Sequence, residues 1–526
     1  MSAHANPPRT LHELIALQAA KQPEALFALQ IEGEQNIRYE QLHTSGAAVA
    51  ALLRAAGSVP GDVVSVVMPN GLNTLRLLLG AMAGGWCVNP VNLLSQPEQM
   101  RHVLEHSDCR VVCVSSEWQD AVRGLLAGIQ RKIAVLVVQA NGTLCAAPEF
   151  AGEVEDTDAD EDAANAGPSN PSPDSLALLM YTSGTTGVPK GVMLTQANLV
   201  ANALSICTEH ALTPQDRVLA VLPLYHINAF AVTMLAPLAS GGSLAMPPKF
   251  SAARFWQQTL QGQCTWINLV PTMISYLNEG VAEDADEGNP LTTEVTQRIR
   301  FCRSASAALP PEHLRGFEAK FGIGIIETMG LTETVAPSFS NPLAAHQRKL
   351  GSVGRASGCE AGVIDAQLQF VPDGSTGELV IRGPNVMRGY YKNPEATAAS
   401  FTPDGWLRTG DLGHRDSDGF YFVTGRIKEL IIKGGENIAP REIDEVLLRH
   451  PAVLDAAAVG IPDKHYGQEI MACVVLRDGA VCTDAELHDF CVTHLGPYKT
   501  PKVLRFVVSL PRGPSGKVQR LKLLDS

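Results

Sequence analysis

The sequence predicts an α/β protein with a smaller α+β unit at its C-terminal end. Three observations carry this. Short apolar runs alternate with helical stretches up to about residue 350, the pattern of helices packed on a parallel sheet. Beyond residue 350, three Asp-Gly dipeptides (Asp373-Gly374, Asp404-Gly405 and Asp418-Gly419) punctuate alternating segments, which reads as antiparallel hairpins. The last hundred residues then carry strand and helix patterns of their own. A chain of 526 residues implies more than one domain.

In order, Thr10-Leu11-His12-Glu13 forms a capping box and starts a helix that ends before Pro23. Asp62–Met68, Arg110–Val114 and Ile133–Val138 read as buried strands, with helices at 72–84 and 97–106 between them. The stretch 152–174 is acidic, then rich in Pro, Ser, Asn and Ala, and reads as a solvated loop. Further strands fall at Ser175–Met180, Arg217–Leu222, Ser243–Met246, Thr265–Val270, Ile299–Arg303 and Ile323–Ile326. Gly377–Arg382 and Gly419–Val423 alternate as hairpin strands do. A boundary falls at 426–430. Beyond it come a helix after Pro440, strands at Asp455–Gly460 and Ile470–Val475, a helix after Thr483 and a strand at Lys502–Val507.

Composition excludes several classes. Apolar residues make up 45% and charged residues 18%, so the chain can bury a large core. A net charge of −13 argues against a general binder of nucleic acid or anionic membrane. Part of that charge is local, because Glu153, Glu155, Asp156, Asp158, Asp160, Glu161 and Asp162 lie together without a base. The eleven cysteines include no CxxC pair, which disfavours zinc ribbons and disulfide frameworks. The richest apolar run, Leu77 to Val88, is short and broken by glycine, and the N-terminus lacks a signal core. A cytoplasmic protein with no membrane span is the expectation.

The most distinctive segment runs from Tyr181 to Gly191. It places Thr182, Ser183, Thr185 and Thr186 around Gly184 and ends on Lys190. Such a loop offers hydroxyls, backbone N–H groups and one cation to phosphate oxygens. It is not a Walker A loop, since Pro189 precedes Lys190 and Gly191 follows it. No GxSxG elbow or HExxH helix occurs, and Gly322-Ile323-Gly324 lacks the third glycine of a dinucleotide fingerprint.

This loop resembles the signature of the adenylate-forming superfamily, which includes acyl-CoA synthetases, luciferases and the adenylation domains of peptide synthetases. Further motifs similar to that family's follow in order. They are Gly330-Leu-Thr332-Glu333, Gly377-Glu378 through Gly383, Gly389-Tyr390-Tyr391, Trp406 through Asp411, Gly425-Arg426 through Ile438, and Pro511 through Lys517. The resemblance spans essentially the whole chain. It implies a large N-terminal adenylation domain (1–425) of two doubly wound α/β subdomains plus a distorted β-barrel. It also implies a hinge at 426–430 and a small mobile α+β domain (431–526) carrying a catalytic lysine.

The implied reaction has two halves. A carboxylate attacks the α-phosphate of ATP, giving acyl-AMP and pyrophosphate, and the thiol of coenzyme A then displaces AMP. Bringing an anion to a polyanion calls for charge neutralisation and alignment rather than a nucleophilic side chain. By resemblance, Thr182, Ser183, Gly184, Thr185, Thr186 and Lys190 hold the β- and γ-phosphates. Thr332 contacts the α-phosphate, and Glu333 is the Mg²⁺ ligand. Asp411 accepts from the ribose hydroxyls and Arg426 reaches the same sugar. Ser306, Ala307, Ala308, Thr328, Met329 and Gly330 face the adenine. Lys517 clamps the reacting oxygens, Lys428 is the hinge, and Gly434 and Gly435 help form the thiol channel.

Two departures stand out. Met329 occupies a position usually aromatic in the family. Ser304-Ala-Ser306-Ala307-Ala308-Leu309 replaces a glycine-rich adenine loop, and its added Cβ atoms restrict the backbone. His226 matches the position beside the carboxylate. Thr328 predicts a short acyl pocket, with Asn228, Thr272, Arg303 and Ser304 as polar walls. Residues 223–276 resemble the branch acting on small polar acids such as carnitine-like, oxalate or sulfonated acids, where Arg303 could meet an anionic tail. Loading of a carrier protein and a non-catalytic nucleotide-binding scaffold stand as alternatives. Oligomeric state is not legible.

Overall fold

The computed structural model describes residues 7–33, 35–144, 148–151, 170–182, 188–280, 293–513 and 517–525. The helix Leu11–Lys21 starts on the reciprocal cap read from the sequence: Glu13 N donates to Thr10 Oγ1 (3.2 Å) and Thr10 N to Glu13 Oε2 (3.2 Å). The acidic stretch at 153–162 lies outside the described residues.

Two large sheets form the N-terminal part. Among the described residues the first has eight strands. Its centre is parallel, built from Val63–Val67, Cys87–Pro90, Val111–Val114 and Ile133–Val137. Leu176–Thr182 runs parallel beside Cys87–Pro90, but Lys190–Thr195 returns antiparallel to it. Gly389–Tyr390 then adds antiparallel to Lys190–Thr195 from two hundred residues further on. The sheet is therefore mixed rather than purely parallel, because the phosphate-loop segment connects two antiparallel strands. A six-residue strand following a loop of Gly, Thr and Pro carries little periodicity of its own, and the sequence did not mark it.

The second sheet has nine strands among the described residues. Arg217–Leu219, Ser243–Met246, Trp266–Leu269, Phe301–Ser304 and Ile325–Met329 are parallel. Leu26–Gln30, unmarked in the sequence, pairs parallel with Ser243–Met246. Between the sheets, every residue of the helix Leu72–Ala83 except Arg76 is buried, as an all-round apolar helix requires. Trp86, Trp256 and Trp266 are also fully enclosed. Each such large apolar side chain contributes roughly 1.5–3 kcal/mol. No helix among the described residues is long and apolar enough to cross a membrane.

The hairpin region is a four-stranded antiparallel sheet of Glu360–Ile364, Gly377–Arg382, Leu407–Arg415 and Tyr421–Arg426. All three Asp-Gly turns hold their glycine in the left-handed region, with φ of 84°, 80° and 81°. The C-terminal sheet starts at Ile431–Lys433 and Glu436–Ile438 and is dominated by the antiparallel pair Val453–Asp463 and Gly467–Leu476. Val503–Phe506 joins it in parallel. The helices Pro440–Leu447 and Asp484–Leu495 contribute Ile443, Leu447, Leu487 and Cys491 to its core.

Candidate active site

The predicted site residues come from all of these units. Tyr181 and Thr182 close the strand that leads into the phosphate loop, and Lys190 opens the return strand directly opposite Thr182. Ser183, Gly184, Thr185 and Thr186 lie outside the described residues. Lys190 Nζ sits 5.1 Å from the centre of the Tyr390 ring, within cation–π range. The Tyr390 hydroxyl donates to Glu333 Oε1 at 2.8 Å.

Glu333 belongs to a single 3₁₀ turn, Thr332–Thr334. That turn is pinned from three sides. Met387 N donates to Glu333 O (2.8 Å), while Asn202 and Asn385 each donate an amide N–H to Thr334 O (3.1 and 3.0 Å). Gly330 precedes it where a Cβ would lie 2.7 Å from the Cα atoms of Ala336 and Pro337, so only glycine fits. No cluster of three or more His, Cys, Asp or Glu among the described residues could hold a metal. A single carboxylate suits Mg²⁺ that takes its remaining ligands from phosphates and water. Glu333 would hold the ion there, and the ion would supply charge neutralisation on the phosphates.

Asp411 and Arg426, expected at the ribose, face each other in antiparallel register. Asp411 is 4% exposed and accepts from Arg426 Nε at 2.6 Å. Burial acts to lower the Arg426 pKa, but the Asp411 carboxylate outweighs it and holds the guanidinium above its usual value. A carboxylate accommodates several donors, so this pairing leaves capacity for sugar hydroxyls.

Lys517 reaches this region from the C-terminal domain. Its side chain is exposed, and it lies close enough to Arg426, Asp411, Glu333 and Glu429 to feel their charges. Desolvation, then Arg426, pulls its pKa below the usual lysine value against the three carboxylates. Lys428 is exposed in the 3₁₀ turn Ile427–Glu429. Gly434 and Gly435 form an exposed hairpin turn, both with positive φ, flanked by Tyr466 and Tyr498. Beneath that turn Lys433, 6% exposed, pairs with Glu469 at 2.5 Å.

The loop expected at the adenine, Ser304 to Leu309, keeps a backbone that favours glycine. Ser306 has φ of +77°, a conformation costing an L residue roughly 1–2 kcal/mol. Its hydroxyl is used, accepting from Asn228 Nδ2 at 3.2 Å. Both variants lose the hydroxyl but only Ser306→Gly relieves the strain, so Ser306→Gly is expected to melt at a higher temperature than Ser306→Ala. Thermal melts of both variants check this, and equal shifts would refute it. Ala307 and Ala308 are exposed in the same loop, and Met329 is half-buried at the end of the strand Ile325–Met329.

The carboxylate that anchors this loop was not legible in the sequence. Glu327, 4% exposed, accepts from Leu309 N at 3.3 Å. Burial, opposed by Arg441 and the Leu309 N–H, pushes its pKa up to about 7. A raised folded-state value means its stabilising contribution is complete below the ordinary 4.5 and is lost as pH rises through about 7. Glu327→Gln is expected to raise the melting temperature at pH 8 and to leave it unchanged near pH 5. A pH-independent difference would contradict this account.

At the acyl end, Arg303 is fully buried on the strand Phe301–Ser304. Its Nη1 donates to Asn228 Oδ1 (2.7 Å) and Asn268 Oδ1 (2.9 Å). Nε and Nη2 have no hydrogen-bond partner among the described residues, and neither does the Ser304 hydroxyl. No carboxylate pairs with this guanidinium among the described residues. Burial lowers its pKa to about 9, so it remains charged at neutral pH. Thr328, 3% exposed, donates to Ser304 O at 3.1 Å and closes the wall there. Thr272 lies half-buried in the first turn of Pro271–Glu279, and His226 half-buried beside Tyr225, their rings 4.8 Å apart. The structure thus links Arg303, Asn228 and Ser306 in one hydrogen-bonded chain from acyl end to adenine loop.

Two α/β sheets, an antiparallel sheet and a small C-terminal unit whose Lys517 lies near Glu333, Asp411 and Arg426 form the architecture of an adenylate-forming ligase. A family model described as AMP-binding enzyme matches residues 15–391, and one described as AMP-binding enzyme C-terminal domain matches 442–517. The chain belongs to this family of AMP-binding enzymes. Within it the chain is an acid–CoA ligase, activating a carboxylic acid with ATP and passing it to CoA. It is 55% identical to sulfoacetate–CoA ligase of Cupriavidus necator, over 98% of this chain and 97% of that one. It is 35% identical to oxalate–CoA ligase of Arabidopsis thaliana, over 97% of each. Among solved structures, ATP-bound MatB from Rhodopseudomonas palustris superposes with a TM-score of 0.85 at 29% identity, over 98% of both chains. MenE from Bacillus subtilis with its acyl-adenylate intermediate OSB-AMP gives 0.80 at 28%, again over 98% of both.

Proposed function

We propose that the acid is small and carries a second anionic group, with sulfoacetate as the first candidate and oxalate as the second. The observation that carries this reading is Arg303, a buried cation with two unmet donors and no carboxylate partner among the described residues. An isolated buried charge is costly unless something pairs with it. The distal sulfonate or carboxylate of a short acid would supply that partner while its reacting carboxylate lies toward His226 and Lys517. The names of the two relatives support the same class.

In this reading Lys517 and Lys190 neutralise opposite ends of the phosphate chain, Thr332 positions the α-phosphate, and Asp411 with Arg426 holds the ribose. After adenylation the small domain (431–526) turns on the 426–430 hinge at Lys428 relative to residues 1–425, bringing Gly434-Gly435 to the thiol path. A cytoplasmic location is part of the proposal. It is supported by ten described cysteines that are all free thiols.

The test is pyrophosphate release with ATP and Mg²⁺ across a panel of sulfonated, dicarboxylic and simple carboxylic acids, with and without CoA. Release dependent on a short dianionic acid and increased by CoA is expected. Preference for long apolar acids would overturn the substrate class. Release indifferent to CoA would turn attention to a carrier protein, and silence across the panel to a nucleotide-binding scaffold.

A further inference from the structure

We infer that Tyr390 is a positioning residue that couples the phosphate-loop lysine to the metal-side carboxylate, its hydroxyl orienting Glu333 and its ring seating Lys190. The inference rests on the proposed roles of Glu333 and Lys190, but it comes from a juxtaposition that those roles do not require. Tyr390 lies two hundred residues from Lys190 and 57 from Glu333 in sequence. The edge-strand pairing Gly389↔Met193 and Tyr390↔Val192 brings it beside the start of the return strand.

Its backbone is fixed independently of either partner. Tyr390 N donates to Thr397 Oγ1 at 2.9 Å, and Tyr391 N donates to Gly191 O at 2.8 Å. Arg388 N donates to Met193 O at 3.0 Å. On this fixed strand the ring presents two different chemistries. The hydroxyl donates to Glu333 Oε1 at 2.8 Å, and the π face meets Lys190 Nζ at 5.1 Å. A donor on one carboxylate oxygen fixes the rotation of the group and leaves the second oxygen to a cation. The ring face holds the ammonium without neutralising it, so its charge stays available to phosphate.

Two Tyr390 variants separate these contributions. Tyr390→Phe keeps the ring and loses the donor, whereas Tyr390→Leu loses both. Mn²⁺ binding to the full-length enzyme with a non-hydrolysable ATP analogue is followed by electron paramagnetic resonance, which needs no turnover. Tyr390→Phe is expected to weaken Mn²⁺ binding about 10- to 100-fold, as loss of an orienting hydrogen bond to a metal ligand does. It should leave metal-free nucleotide affinity unchanged. Tyr390→Leu should also raise the KM for ATP several-fold. Glu333→Gln is measured in parallel. If Glu333→Gln weakens Mn²⁺ binding and Tyr390→Phe does not, the inference about Tyr390 is overturned. If Glu333→Gln itself leaves Mn²⁺ binding unchanged, the metal role of Glu333 fails instead. Equal loss in the Phe and Leu variants of both metal and metal-free nucleotide binding, with a lowered melting temperature, would mark Tyr390 as structural and overturn the coupling role.

Discussion

Lys517→Ala is expected to slow acyl-adenylate formation by about 10²–10³-fold, the usual cost of removing one preorganised charge from a reacting oxygen. The adenylation half-reaction places a carboxylate against the α-phosphate. Lys517 is the cation that the small domain brings beside Glu333, Asp411 and Arg426. Acid-dependent pyrophosphate release measures this step. Preformed acyl-AMP supplied with CoA should still be converted within a few-fold of the normal rate, because in the proposed cycle the small domain has carried the lysine away by then. A variant that adenylates almost normally would remove Lys517 from the mechanism.

The same residue sets a pH dependence. As an electrostatic clamp Lys517 acts only when protonated. Its pKa is drawn below the ordinary 10.5 by desolvation and by Arg426. Adenylation should therefore fall as pH rises, with the alkaline limb below the ordinary lysine value. Lys517→Arg, which stays protonated, should move that limb upward even if its maximal rate is lower. An unchanged limb in the arginine variant would assign the titration to another group.

Substitution of Arg303 carries the second large effect. Arg303→Met is expected to reduce kcat/KM for sulfoacetate about 100-fold or more, the scale of losing one member of a buried charge pair. Activity toward propionate, which has no second charge, should change little or improve. The stability readout separates a substrate contact from a merely structural one. A buried guanidinium lacking a carboxylate partner destabilises the acid-free protein, so Arg303→Met should not lower its melting temperature. Sulfoacetate with an ATP analogue should raise the melting temperature of the native chain and not that of the variant. Arg303→Lys, retaining charge without the planar fork, should recover part of the activity. Uniform loss across all acids together with a lowered melting temperature would make Arg303 a structural support for Asn228 instead.

Much of this molecule was legible before any coordinates. Local patterns identify their elements wherever the physical cause is local. Thr10 and Glu13 cap each other because a capping box spans four residues, and Asp373-Gly374, Asp404-Gly405 and Asp418-Gly419 turn because glycine accepts positive φ. Ser243–Met246 and Gly377–Arg382 form strands with the bounds their apolar patterns predict. Elements without a strong local pattern were missed. Leu26–Gln30 and Lys190–Thr195 are strands because neighbouring strands complete their hydrogen bonds, which no window of sequence contains.

The candidate site divides in the same way. Motif chemistry by itself determined the family and the two-step reaction, and it named the residues expected to bind ATP. Lys190, Glu333, Asp411 and Lys517 each stand in a short, distinctive context. Only the tertiary structure decided how they are held. The Tyr390 bridge between Lys190 and Glu333, the anchoring of Leu309 by Glu327, and the chain from Arg303 through Asn228 to Ser306 each join segments far apart in sequence. The strain at Ser306 belongs to the same class, since a serine reveals its positive φ only once its loop is built. The physical reason is common to all of them. Residue type sets what a side chain can do, but strand register and burial set which partner it meets and what its charge costs.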